Sequence, residues 1–242
     1  MMQKELIICP VCGHENPAEA HFCLNDGAPL HGGDVDDLLI GRMLGKYRLL
    51  KREGEGGFGV VYRAEHRDLG THYAVKILHP QFSANPQASE RFRREAIAAG
   101  KLRHENIVHI ADFGHAKGIG HYYAMEFLEG KTLKSCLDEG EYFPPGRILK
   151  IVHQVTSAMQ HVHALNIIHR DLKPENIFLI NKDGDGDYVK LVDFGIAKIL
   201  DDQEAISITR TGSSVGTPLY MSPEQARGKL RQLDHRSDIY SW

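Results

Sequence analysis

From Tyr47 onward the chain alternates apolar and polar residues in short runs. YRLLKR (47–52), VVYRAEH (60–66) and HYAVKIL (72–78) each turn every second residue to one side, the pattern of half-buried strands. IVHIADF (107–113) and YYAMEFL (122–128) predict two more strands. Before them, Ser89–Leu102 carries Phe92, Ala96, Ala99 and Leu102 on one stripe, which predicts a helix. Beyond residue 128 the period changes. Arg147–Leu165 places Ile148, Ile151, Val152, Val155, Met159 and Val162 at steps of three and four, the signature of an amphipathic helix. A strand-rich half followed by a helix-rich half predicts an α+β chain in two lobes.

The first 30 residues have no such period. They are dense in Cys, Gly, Pro and Asn, and hold Cys9, Cys12 and Cys23, three of the four cysteines. Cys9 and Cys12 have the spacing Cys-x-x-Cys, and Cys23 has Asp26 at the same interval. A module of this size cannot bury enough apolar surface to fold alone and needs a staple. The expected organisation is a small module over 1–30, a linker over 31–45 and one large domain over 46–242. That domain divides into a strand-rich lobe of about 46–128 and a helix-rich lobe of about 129–242.

Composition narrows the function classes. With 29 Lys and Arg against 32 Asp and Glu the formal charge is −3, so nothing argues for nucleic acid or a membrane surface as partner. No apolar run approaches the ~18 residues of a membrane span, and the N-terminus lacks a basic-then-apolar leader. The expectation is a cytoplasmic chain with no membrane segment, in which paired cysteines point to metal before disulfide. A membrane anchor beyond residue 242 would alter that expectation.

GEGGFG (Gly54–Gly59) lies between two predicted strands, where missing Cβ atoms let backbone N–H groups approach an anion. Because another strand follows, a dinucleotide fold is disfavoured. Lys76 ends the apolar run AVK, and Glu95 lies on the following predicted helix. HRDLKPENIF (His169–Phe178), VDFGIAK (Val192–Lys198) and GTPLYMSPE (Gly216–Glu224) come after them. In this order the motifs resemble the protein kinase family, from about Leu44 to the last residue.

The resemblance implies a two-lobed protein kinase fold using ATP and Mg2+ on protein substrates. It implies that Gly54, Glu55, Gly56, Gly57, Phe58 and Gly59 form the loop over the phosphates. Lys76 would bind the α- and β-phosphates, oriented by Glu95. Asp171 would accept or orient the substrate hydroxyl proton, Lys173 would neutralise charge near the γ-phosphate, and Asn176 and Asp193 would hold Mg2+. Val61 and Ala74 match the adenine lining, Met125 the back-pocket guard, and Glu126 and Leu128 the hinge. The sequence departs from the pattern at Glu53, where the family usually places an aliphatic residue against the base.

Lys173 and Thr217 resemble the Ser/Thr class, and SPEQA with the N-terminal knuckle resembles its bacterial members. Arg170 would pair with a phosphate on the segment 193–224, where autophosphorylation is expected at Thr209 or Thr211, with Ser213 and Ser214 as weaker sites. A kinase dimer would allow this in trans. Asp238 would hold the catalytic-loop backbone. The chain reads as stopping early in the central helix of the helical lobe, leaving Glu224 without its usual arginine. The competing expectations are therefore a weakly active or inactive kinase-fold fragment serving as a nucleotide-binding or scaffold module, and a chain whose working part is the knuckle.

Two motifs are decoys. Asp112-Phe113-Gly114 also spells DFG but precedes the catalytic loop, and is expected to be a strand end and turn. DGDGD (Asp183–Asp187) imitates a calcium loop, yet its sixth and twelfth positions are Tyr188 and Phe194, so a polar hairpin is expected. The N-terminal CPxCG and FCxxDG resemble a zinc ribbon, with Cys9, Cys12, Cys23 and Asp26 as the Zn2+ ligands and His14 or His21 as substitutes for Asp26. A decayed ribbon without metal is the alternative.

Overall fold

The computed structural model describes residues 6–9, 14–17, 39–56, 59–79, 93, 96–97, 99–193, 218–228 and 233–242. The chain separates into two units, Met1–Pro80 with Gly114–Phe127, and Gln81–Phe113 with Leu128–Trp242.

In the first unit, β1 (Leu6–Ile8) pairs antiparallel with β2 (Glu15–Pro17). The Cys9 amide donates to the His14 carbonyl (2.9 Å), and Cys9 is buried. A six-stranded sheet follows, built from β3 (Met43–Leu44), β4 (Tyr47–Gly56), β5 (Gly59–His66), β6 (His72–Leu78), β7 (Ile110–Ala116) and β8 (Gly120–Glu126), in the order β3-β4-β5-β6-β8-β7. Alternation sorts its two faces. Tyr62 and Ala64, Val75 and Ile77, and Tyr122 and Ala124 go into a core with Ile40, Leu44, Tyr47 and Leu49. The register Val61↔Lys76↔Tyr123 and Arg63↔Ala74↔Met125 puts the intervening residues on the other face. Gly59 is required where it stands, because a Cβ would collide with the Ile77 carbonyl oxygen.

The earlier DFG does not end its strand as expected. Asp112, Phe113 and Gly114 lie inside β7, and the turn comes only at residues 117–119. Gly114 faces the Tyr122 ring, leaving no room for a side chain.

In the second unit, Arg93, Ala96, Ile97, Ala99 and Gly100 are helical, with Ala96, Ala99 and Leu102 buried as the stripe predicts. Next come β9 (Gly130–Thr132), α1 (Leu133–Asp138), α2 (Pro145–Ala164), β10 (Ile177–Lys182) and β11 (Asp185–Leu191), the strands in the order β11-β10-β9. Pro145 opens α2 at a position that needs no amide donor. The helix packs on β11 and buries Ile151, Val155, Ala158, Met159 and Val162. Ile148, expected on that stripe, is exposed; in this first turn Arg147 binds Asp187 (2.7 Å) and Glu141 (2.8 Å) instead. Gln154 accepts from the Asn106 side chain and the Val189 amide, both at 2.9 Å.

DGDGD is the expected hairpin. Asp183 (φ 56°) and Gly184 (φ 86°) form a two-residue turn in which both residues are left-handed, between the paired Lys182 and Asp185. Asp185 pairs with Lys150 and Asp187 with Arg147, so these carboxylates are used in packing. The unit ends in α3 (Pro223–Ala226) and α4 (His235–Ser241).

Candidate functional site

HRDLKPEN forms a loop between α2 and β10, and its last turn is a short 3-10 helix, Pro174–Asn176. Asn176 is buried and donates its side-chain amide to the Asp171 carbonyl (2.8 Å) and to Asp171 Oδ2 (3.2 Å). Lys173 Nζ lies 3.0 Å from the same Oδ2. One carboxylate oxygen thus holds a cation and an amide, which fixes the carboxylate plane. The sequence brings Asp171, Lys173 and Asn176 together because the proline turn folds residues five apart back on themselves.

Two residues hold the loop in an unusual backbone state. Arg170 is left-handed (φ 65°), a conformation that costs a non-glycine residue on the order of 1–2 kcal/mol. Its amide donates to Asp238 Oδ1 (2.8 Å), and its carbonyl accepts from Gln225 Nε2 (2.8 Å). Asp238 Oδ2 accepts the His169 amide (2.8 Å) and lies 2.8 Å from His163 Nε2. The ring of His169 is fully buried; burial pushes its pKa below the ordinary histidine value, against the pull of Asp238, Asp171 and Asp193.

Asp193 follows β11 and is also left-handed (φ 50°). The Val192 amide donates to the Asn176 carbonyl (3.0 Å), tying the two segments together. With the side-chain amide nitrogen of Asn176 committed to Asp171, its Oδ1 and the Asp193 carboxylate are hard oxygens of the kind that would hold Mg2+.

In the first unit the sheet face opposite the core carries Val61, Arg63, Ala74, Lys76 and Met125 together. Gly54 and Gly56 line the end of β4, with open space where a Cβ would point. Glu55 pairs with Arg52, and His79 Nε2 lies 3.1 Å from the Gly56 carbonyl. Glu53 Oε1 accepts from Arg63 Nε at 2.9 Å. Glu126 ends β8, and Leu128 opens the next segment of the second unit. Gly57, Phe58, Glu95, Cys12, Cys23, Asp26, Thr209, Thr211 and Thr217 lie outside the described residues.

The sequence reading assigned no role to His163 or Gln225. Only Gln225 left a signal, as the fourth residue of SPEQ, a capping-box spacing: its Oε1 accepts from the Ser222 amide (3.0 Å). Glu224 is half-buried and accepts from Ser237 Oγ (2.5 Å), which holds its carboxyl below the usual range. Among the described residues no group of three or more His, Cys, Asp or Glu side chains forms a metal cluster, and no helix is long and apolar enough to cross a membrane.

A strand lysine, a polar loop closed on one carboxylate and an aspartate after the returning strand are, in this order, the parts of a phosphotransferase domain. The protein kinase domain family matches residues 47–242, and the chain belongs to that family. It is 39% identical to the serine/threonine-protein kinase Pkn1 of Myxococcus xanthus over 96% of this chain and 34% of that protein. It is 42% identical to the serine/threonine-protein kinase PrkC of Bacillus subtilis over 84% of this chain and 30% of that one. The chain therefore spans about a third of the length of these relatives. The kinase domain of PknI from Mycobacterium tuberculosis superposes with a TM-score of 0.66 at 27% identity, covering 85% of this chain and 74% of that one.

Proposed function

We propose that this chain is a serine/threonine protein kinase that moves the γ-phosphate of ATP to protein hydroxyls. The observation that carries the reading is the loop in which Lys173 and Asn176 converge on Asp171 Oδ2 (3.0 and 3.2 Å). The Asp171 carboxylate, held in one plane, takes the proton of the attacking Ser or Thr hydroxyl as its oxygen bonds to the γ-phosphorus and the bond from that phosphorus to the bridging oxygen breaks, releasing ADP. Lys173 offsets charge gathering on the transferred group. Asn176 and Asp193 would hold Mg2+, which when bound neutralises the phosphate oxygens. Lys76, with Glu95, holds the α- and β-phosphates, and Gly54–Gly59 cover them. Val61, Ala74 and Met125 line the base, and Glu126 and Leu128 bond it through backbone groups.

Regulation follows from Arg170. Its side chain would receive a phosphate placed on Thr209 or Thr211 by a second copy of the kinase, and Thr217 would touch the catalytic Asp171. Buried Cys9 beside the β1–β2 pair would be one ligand of a zinc ribbon, with Cys12, Cys23 and Asp26 as the others. Metal analysis of the wild type against Cys12→Ser, Asp26→Ala and His21→Ala checks that part.

Turnover of labelled ATP on a Ser/Thr substrate, with Asp171→Asn as control, tests the main reading. Transfer by the wild type and its loss in the variant support it; equal transfer by both sinks it. An unmodified 207–217 peptide from active protein would sink the autophosphorylation reading alone.

A further inference from the structure

Glu53 is the residue at which this chain leaves the kinase pattern, and the structure shows where its charge goes. The β4–β5 register shifts between Arg52 and Gly54, so Glu53 is an extra residue in β4, a bulge that redirects its side chain. Its Oε1 accepts from Arg63 Nε at 2.9 Å. Lys51 Nζ is 3.4 Å from Oε2, but its side chain is 67% exposed, which makes it the weaker partner. Arg63 is itself fixed: its guanidinium lies 4.4 Å above the centre of the Phe127 ring. The His72 ring packs edge-on to Phe127 at 6.3 Å. Arg63 is paired with Ala74 and stands two residues from Val61, on the face assigned above to adenine.

We propose that Arg63 is a positioning residue for nucleotide binding: it holds the Glu53 carboxylate off the adenine. This inference rests on the kinase reading. Position 53 then presents the Cβ and Cγ methylenes to the base, a partial substitute for an aliphatic side chain. Without Arg63 only the exposed Lys51 remains beside the carboxylate, which is then desolvated against the base or swings toward Lys51 and uncovers it. Both cost affinity for the adenosine half of ATP, and neither touches the phosphates.

The test is calorimetric titration of Mg-ATP and of adenosine into the full chain, comparing wild type with Arg63→Met, Glu53→Leu and the double variant. Arg63→Met should weaken both ligands by the same factor, about 5–20-fold. Glu53→Leu should bind at least as tightly as wild type, and adding Arg63→Met to it should change either affinity less than twofold. A Glu53→Gln/Arg63→Met pair, which keeps the side-chain length without the charge, should recover in the same way. Arg63→Met binding both ligands like wild type overturns the proposal. So does a loss that persists beside Glu53→Leu, or one confined to ATP, since either would mean that Arg63 meets the nucleotide itself. A wild type that binds neither ligand overturns the kinase reading, and this inference with it.

Discussion

The Asp238 carboxylate accepts the backbone amides of His169 and Arg170, each at 2.8 Å, across nearly 70 residues of chain. Asp238 is 2% exposed, so this is a buried charge spent on holding a loop. It offsets the left-handed strain at Arg170 and fixes the segment that carries Asp171. Asp238→Ala leaves two amides and His163 Nε2 without this acceptor. The expected cost is about 2–4 kcal/mol in urea denaturation, with loss of phosphate transfer. A variant as stable and active as wild type would show that the clamp is dispensable.

Asp171→Asn keeps the shape of the loop but removes the proton acceptor. Phosphate transfer should fall by about 10²–10⁴ in kcat while ATP affinity stays within about threefold, measured by steady-state kinetics and titration. A matching loss in ATP affinity would place Asp171 in binding rather than in chemistry.

The loop glycines should separate stability from binding. Gly59→Ala drives a Cβ into the Ile77 carbonyl and should cost about 1–3 kcal/mol. Gly54→Ala meets open space, so its melting temperature should match wild type while Mg-ATP binds more weakly. Thermal melts with and without Mg-ATP read both effects.

Stability should also fall on mild acidification. Burial lowers the pKa of His169, and it likewise lowers His104 and His121. A group whose folded pKa is depressed takes its proton preferentially in the unfolded state, starting near the ordinary value of about 6.5. The melting temperature should therefore drop between about pH 7 and 5.5, above the range where carboxylates such as Asp234 (pKa about 2) respond. His169→Phe should flatten that slope; an unchanged slope would assign the effect to the other two.

The hairpin carboxylates are predicted to be structural. Arg147→Ala breaks the bonds to Asp187 and Glu141 and removes a cation lying 4.1 Å over the Phe143 ring. A loss of about 1–3 kcal/mol is expected, with no response of the protein to added Ca2+. A rise in melting temperature with Ca2+ would revive the calcium-loop reading of Asp183–Asp187.

Local periodicity determined much of this protein. Alternation fixed strands β4, β5, β6 and β8, the three-and-four spacing fixed α2, and Asp183-Gly184 fixed a hairpin, because each depends on residues close in the chain. Asp171, Lys173 and Asn176 were legible differently, through the resemblance of HRDLKPEN to the protein kinase family, and their mutual contacts span five positions or fewer. Tertiary structure decided what pairs over long range. Nothing near His163 announces Asp238 as its partner, and nothing near Gln225 announces the Arg170 carbonyl. Glu53 looked like a charge in the wrong place until a one-residue bulge and a strand ten positions on gave it Arg63. A bulge shifts which side chains share a face, and no local pattern records it, so the fate of that charge was set only once the sheet was paired.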